Sequence, residues 1–407
     1  MEYVIVGASA AGLNAAKTLR ALEPAADITL VSKDERIYSR CIMHHYLKGK
    51  RDIQQLSFVG QGIIEEYQIN WLKGIAAQKV ESEKNEIALS DGSNLYYDKL
   101  LIATGSQTAF PPNIENLDKA ESGVVGFYNI NDAIQIKKQA ADTDVKNIVV
   151  LGAGLSGMDA VEGLLGFGKN IAIAEAYSHM LGRQLDLFAA KKYETAFTIA
   201  GVKQYYGTFI TGLELDGENA VRKARLSSGV MIPCDLLIVA SGVRANVAFL
   251  EGSAVITDEK GLVFDKYGRT NIVNIFGAGD VSGKSPIWPA AVKEGIIAAY
   301  NMVGKPLEQT DFFASKSTMN FLNIATMSLG VPEPPDDSYT VETDKDESGN
   351  YKKIIHKDGV IVSAIIQGDL SYTGVLTQLV KHKIDVTKIK KPLFKIDYSD
   401  FFGEFNL

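Results

Sequence analysis

Short apolar runs that break off at glycine set the rhythm of this chain. Tyr3-Val4-Ile5-Val6 is strand-sized and runs into Gly7; past Gly12, Leu13, Ala16, Leu19 and Leu22 recur at helical spacing until Pro24 stops them. Ile28-Thr29-Leu30-Val31 then reads as a second strand. The same order returns further on. Asn147-Ile148-Val149-Val150-Leu151 leads into a glycine-rich turn, Ala160, Leu164 and Leu165 carry a helix that ends near residues 166–168, and Ile171-Ala172-Ile173-Ala174 is the next strand. A second pair of segments matches as well. Asp98-Lys99-Leu100-Leu101-Ile102-Ala103-Thr104-Gly105 resembles Asp235-Leu236-Leu237-Ile238-Val239-Ala240-Ser241-Gly242. The copies stand 145 residues apart (Gly7 to Gly152) and 137 residues apart (Gly105 to Gly242).

A repeated strand–glycine turn–helix–strand unit predicts an α/β chain with two Rossmann-like dinucleotide-binding domains, each built on a parallel sheet. The texture changes from about residue 311. Residues 331–337, with three prolines, break regular structure, residues 342–350 read as an acidic loop, and residues 353–362 read as a hairpin turned at Asp358-Gly359. These last residues predict a C-terminal α+β domain.

Composition narrows the function classes. The chain has 407 residues with 46% hydrophobic and 22% charged positions, which excludes disorder as the main state. A net charge of −7 argues against nucleic acid or an anionic membrane as partner. No apolar run approaches the roughly 18 residues that span a bilayer. Two cysteines, Cys41 and Cys234, are too few for a disulfide scaffold and point to a reducing, cytoplasmic setting.

The glycine turns carry the candidate chemistry. A pyrophosphate needs backbone N–H groups at a helix N-terminus, and side chains there would block its approach. Gly152, Gly154 and Gly157 meet that need between a predicted strand and a predicted helix. Glu175 follows at the end of the next strand, where a carboxylate accepts ribose hydroxyls and repels the extra phosphate of NADPH, so NADH is the expected nucleotide. The first copy, Gly7-x-Ser9-x-x-Gly12, has Ser in the middle, and its next strand ends in Ser32-Lys33-Asp34-Glu35 in place of the usual ribose acid. Asn274-Ile275-Phe276-Gly277-Ala278-Gly279-Asp280 delivers a carboxylate beside a glycine, suited to a polyol hydroxyl.

Together these segments resemble the pyridine nucleotide–disulfide oxidoreductase superfamily of two-dinucleotide flavoproteins, and five motifs fall in the family's order across about 310 residues. The resemblance implies an FAD domain made of residues 1–112 and 241–310, an NADH domain of 113–240, and a C-terminal domain of 311–407 that usually pairs two copies as a homodimer. It implies hydride transfer from NADH to flavin N5. It assigns Gly7, Ser9, Ala11, Gly12, Lys33, Arg40, Thr104, Gly105, Asp280 and Trp288 to FAD, and Gly152, Gly154, Gly157, Glu175 and Gly242 to NADH. The segment from Asp34 to Lys50 is similar to rubredoxin reductases and to the flavin portions of assimilatory nitrite reductases. Cys41 falls where NADH oxidases and coenzyme A-disulfide reductases place a redox cysteine.

No Cys-x4-Cys or Cys-x-x-Cys occurs, which excludes a dithiol mechanism. What accepts the electrons stays open between a protein carrier such as rubredoxin or a partner reductase subunit, single-cysteine chemistry at Cys41, and a purely electron-conducting role within a larger complex. Cys41 is expected to start a helix beside Arg40, His44 and His45, which favours a thiolate; the competing reading is a small buried hydrophobe. Asp159 is a candidate for orienting a cation at the flavin, or an ordinary first-turn acid. The two histidines are adjacent and point apart, so no metal site is expected. Lys381, Lys383, Lys388, Lys390, Lys391 and Lys395 form a basic stretch, read either as a steering patch for an acidic carrier or as a solvated surface.

Overall fold

A computed structural model describes residues 1–284, 287–310, 316–387 and 389–401. The chain divides into two compact units. Residues 1–109, 128–133 and 242–314 make the first, and residues 110–127, 134–241 and 315–407 the second.

The first unit is built on a five-stranded parallel sheet in the order Ile275–Gly277, Lys99–Ile102, Glu2–Val6, Asp27–Ser32, Asn70–Lys73. Its central strand shows why the apolar run is unbroken. Tyr3 and Ile5 pack on one face with Leu13, Ala16 and Leu19, whereas Val4 and Val6 pack on the other with Ile87, Leu89 and Tyr97. A sheet covered on both faces has no polar side to alternate with. The helix Ala10–Leu22 lies against the helix Trp288–Met302. Gly295 permits that approach, because a Cβ there would sit 2.2 Å from the Ala11 carbonyl oxygen.

The second unit repeats the design. Its parallel sheet runs Lys203–Tyr206, Asn170–Glu175, Asn147–Leu151, Leu236–Val239, Val124–Gly126. In both sheets the strand that ends in the glycine turn is third of five, so each turn emerges at the carboxyl end of a central strand. The same unit holds an antiparallel sheet of Ser317–Phe321, Ile324–Leu329, Val360–Gln367, Tyr351–Lys357 and Thr340–Lys345. The hairpin turn at Asp358-Gly359 is present.

The acidic segment 342–350 is not all loop, since Thr340–Lys345 is a strand paired with Tyr351–Lys357. It is the sheet's edge, and charged side chains suit an exposed edge because they discourage pairing with another chain.

A buried polar cluster ties this sheet to the helix Leu187–Ile199. Asp186 caps the helix by accepting from the Ala189 N–H at 2.9 Å, and it also accepts from the Tyr351 hydroxyl at 2.6 Å. Lys353, only 5% exposed, places its Nζ 3.1 Å from Asp186 and 3.0 Å from Glu333. The Tyr193 hydroxyl donates to the Ile324 carbonyl at 2.6 Å. No helix among the described residues is long and apolar enough to cross a membrane.

Candidate active site

At the first turn, Gly7 adopts φ +118° and its N–H donates to the Val31 carbonyl at 2.8 Å. A Cβ on Gly7 would meet the Ala103 carbonyl oxygen at 2.1 Å, and one on Gly12 would meet the Gly7 carbonyl oxygen at 1.8 Å. Both positions therefore require glycine for close backbone packing. Ser9 precedes the helix in extended conformation and makes no side-chain cap bond.

Beside this turn lies a cavity of about 570 Å³. Its wall includes Gly7, Ser9, Lys33, Arg40, Thr104 and Gly105, together with Arg36 and Arg244, to which the sequence assigned no role. Four cations face one carboxylate, Asp34, so the cavity suits an anionic ligand. Its size is that of a cofactor pocket. Thr104 and Gly105 are held by Asn246, whose side-chain amide donates to the Thr104 and Ser106 carbonyls at 3.0 and 2.9 Å.

Ala11, Gly12, Asp280 and Trp288 belong to the same unit but do not line that cavity. Ala11 is buried in the helix behind the turn, and Trp288 opens its helix with the ring edge-on to Phe58 at 4.7 Å. Asp280 follows Gly279 (φ +82°) and accepts from the Tyr128 hydroxyl at 3.0 Å. Burial pushes the Asp280 carboxyl above the ordinary range, and the Tyr128 donor and the Arg40 guanidinium oppose that shift. Tyr128 and Asn246 thus join the site. Asn246 was visible next to its glycine motif, while Tyr128 sits in no motif at all.

Glu294 is a further residue that sequence reasoning missed. Its Oε2 accepts from the Gly279 N–H at 2.7 Å. Burial, with a smaller contribution from Asp280, pushes its carboxyl up to about 7. A folded-state value above the unfolded one means the folded protein binds this proton more tightly. The resulting stability is complete below about pH 4.5 and is lost as pH rises through about 7. Glu294→Gln, which keeps an acceptor for Gly279, is expected to be more stable than the parent by about 1–3 kcal/mol near pH 8, with little difference at about pH 4. Urea unfolding at the two pH values measures this.

The second turn has the same backbone logic. Gly152 has φ +105°, and a Cβ on Gly157 would sit 2.0 Å from the Gly152 carbonyl oxygen. Gly154 has open space where its Cβ would be. Glu175 stands at the end of its strand with its carboxylate turned onto the loop, accepting from the Ala153 N–H at 2.5 Å and the Tyr177 N–H at 2.8 Å. A carboxylate has further lone pairs for hydroxyl donors. Gly242 falls in the first unit, whereas Gly152, Gly154, Gly157 and Glu175 are in the second. Asp159, half-buried, lies beyond the first turn of the helix Leu155–Leu164, which removes the reading of it as a first-turn acid.

Cys41 does not start an α-helix. It lies in the 3-10 turn Arg40–Ile42, and the short helix Met43–Leu47 follows. Its side chain is exposed, so the buried-hydrophobe alternative fails. Cys234 is buried, and burial pushes its thiol up to about 12. In the basic stretch, Lys391 is paired with Asp400 at 2.6 Å and Asp397 at 3.3 Å, and Lys388 lies outside the described residues.

The family model described as pyridine nucleotide-disulphide oxidoreductase matches residues 1–295. The chain belongs to that family. It is an enzyme, an FAD-dependent pyridine-nucleotide oxidoreductase. A second family model, the rubredoxin NAD+ reductase C-terminal domain, matches residues 316–384. The chain is 28% identical over 401 residues to the NADH-dependent phenylglyoxylate dehydrogenase subunit epsilon of Aromatoleum evansii, covering 96% of this chain and 93% of that one. It is 26% identical to nitrite reductase [NAD(P)H] of Bacillus subtilis, and there it spans only 48% of the relative's length. Among solved structures, NADH:rubredoxin oxidoreductase from Clostridium acetobutylicum superposes with a TM-score of 0.75 at 21% identity, covering 99% of each chain, which shows the shared fold.

Proposed function

We propose that this oxidoreductase of the pyridine nucleotide-disulphide family takes reducing equivalents from NADH and delivers them to a protein electron acceptor. The four-cation cavity at the first glycine turn carries the reading, because it matches a dinucleotide's negative charge in size and sign. Residues 1–112 and 241–310 are read as the FAD domain, 113–240 as the NADH domain and 311–407 as the C-terminal domain. When bound, FAD supplies hydride acceptance and onward electron transfer, which no side chain can supply. The protein's own part is positioning and charge. Arg40, Lys33 and the amides after Gly7 hold phosphate oxygens, Thr104 and Gly105 give the ring a wall, and Asp280 accepts from polyol hydroxyls. At the second turn, Gly154 leaves the helix amides open to a pyrophosphate, and Glu175 favours NADH by repelling a 2′-phosphate.

The acceptor class is supported by the rubredoxin-reductase likeness of the C-terminal segment. A second reading, a flavin subunit within a larger complex, is favoured by the near full-length match to a dehydrogenase subunit. Stopped-flow reduction with NADH and NADPH, followed by transfer to rubredoxin, ferredoxin, disulfides and oxygen, tests the proposal in the parent and in Cys41→Ser. Faster reduction by NADH and carrier transfer unchanged in Cys41→Ser are the expected results. Faster reduction by NADPH refutes the Glu175 assignment. Loss of all acceptor activity in Cys41→Ser would instead establish single-thiol chemistry, and co-purification with fixed stoichiometric partners the complex.

A further inference from the structure

Tyr128 occupies a position that no glycine motif accounts for. Its hydroxyl accepts from the Ser106 hydroxyl at 2.6 Å and donates to Asp280 Oδ2 at 3.0 Å. The Arg40 guanidinium lies 4.4 Å from its ring centroid. One side chain therefore touches both a cation of the cavity wall and a carboxylate outside that wall. Its backbone is fixed as well, since the N–H groups of Tyr128 and Asn129 donate to the Asp132 carboxylate at 2.8 and 3.1 Å. The following Ile130 N–H donates to the Tyr38 hydroxyl at 3.2 Å.

FAD joins a polyol chain to a pyrophosphate, so one ligand can engage Asp280 and Arg40 at once, as FMN can with its single phosphate, whereas riboflavin has the polyol alone. Holding the two groups in fixed relation raises affinity for the linked ligand more than for either piece. We propose that Tyr128 is the positioning residue that couples Asp280 to Arg40, making the first unit select the phosphate-bearing flavin FAD over riboflavin. The proposal rests on the FAD reading of that unit.

The charge environment gives Tyr128 a second signature. Arg40 and Tyr128 act on the Asp280 carboxyl; Asp280 and Lys284 both act on Glu294 of the helix Trp288–Met302, and Tyr38 and Asp34 act on Arg40. Removing the Tyr128 donor leaves Arg40 to oppose the effect of burial on Asp280, so the carboxyl takes up a proton more readily as pH falls. A neutral Asp280 accepts more weakly from the polyol.

The full-length chain, stripped of flavin and titrated with FAD, FMN and riboflavin by fluorescence quenching, tests this. Tyr128→Phe is expected to weaken FAD roughly 10- to 100-fold at about pH 7.5, the loss typical of a hydrogen bond to a charged group. Riboflavin should weaken less, so the preference for FAD over riboflavin narrows, with FMN, which keeps one phosphate, between the two. The FAD deficit should grow as pH falls, and in an Asp280→Asn background Tyr128→Phe should cost less than about threefold. An unchanged FAD affinity, an unchanged pH profile, or a loss that persists in full in the Asp280→Asn background overturns the proposal. If Tyr128→Phe does not fold, the comparison of Arg40→Ala, Asp280→Asn and the double variant decides: additive losses refute coupling and non-additive losses support it. A parent chain that takes up no FAD refutes the flavin reading itself, a distinct result.

Discussion

Gly157→Ala should slow reduction by NADH at least about 100-fold while leaving the flavin in place. The added Cβ would sit 2.0 Å from the Gly152 carbonyl oxygen, a backbone atom that cannot move aside like a flexible side chain. Either the helix Leu155–Leu164 shifts away from its strand or the turn opens, and both displace the amides that should face the nucleotide's pyrophosphate. A misplacement near 1 Å costs on the order of 100-fold in rate. The first glycine turn, proposed as the flavin cradle, is in the other unit and keeps its own glycines. The variant should therefore be yellow and reducible by dithionite, yet at least about 100-fold slower with NADH in stopped flow. Parental rates with NADH would remove the second turn from the nucleotide site.

The second large effect concerns stability. In Lys353→Met, Asp186 keeps the Tyr351 hydroxyl and the Ala189 amide but loses the cation paired with it in the buried cluster. A buried charge left without its counter-ion costs about 3–5 kcal/mol. The expected outcome is a urea midpoint lowered accordingly, with Asp186→Asn/Lys353→Met recovering most of the loss because Asn still caps the helix. Equal stability of Lys353→Met and parent would show that the Tyr351 and Ala189 donors suffice to hold the Asp186 carboxylate without the cation. The exposed Glu333, with 63% of its side chain in solvent, contributes little to this balance.

Much of this architecture is written locally. Residues 3–6 and 147–151 read as strands because both faces of their sheets are covered, and the glycine turns read as cradles because their spacing is a backbone requirement. Readings that needed distant partners fared differently. Residues 342–345 look like acidic loop until Tyr351–Lys357 is laid beside them. The segment at Cys41 has helical apolar spacing, but only Met43–Leu47 closes α-helical bonds. Glu175 was placed at its strand end, whereas the turning of its carboxylate onto Ala153 and Tyr177 depends on loop geometry. Tyr128 was illegible because its partner Asp280 is 152 residues away and neither residue's neighbours announce the other.

The first sheet is also discontinuous in the chain. Lys99–Ile102 pairs on one side with Glu2–Val6 at once, but its other neighbour, Ile275–Gly277, is encoded far downstream. During translation at about 5–20 residues per second, that edge stays unpaired for roughly 10–30 seconds. An apolar parallel edge left open for so long invites pairing with a neighbouring nascent chain. Overproduction should therefore lose material to aggregates mainly during synthesis, and slower initiation or added chaperone should rescue yield without altering the finished protein.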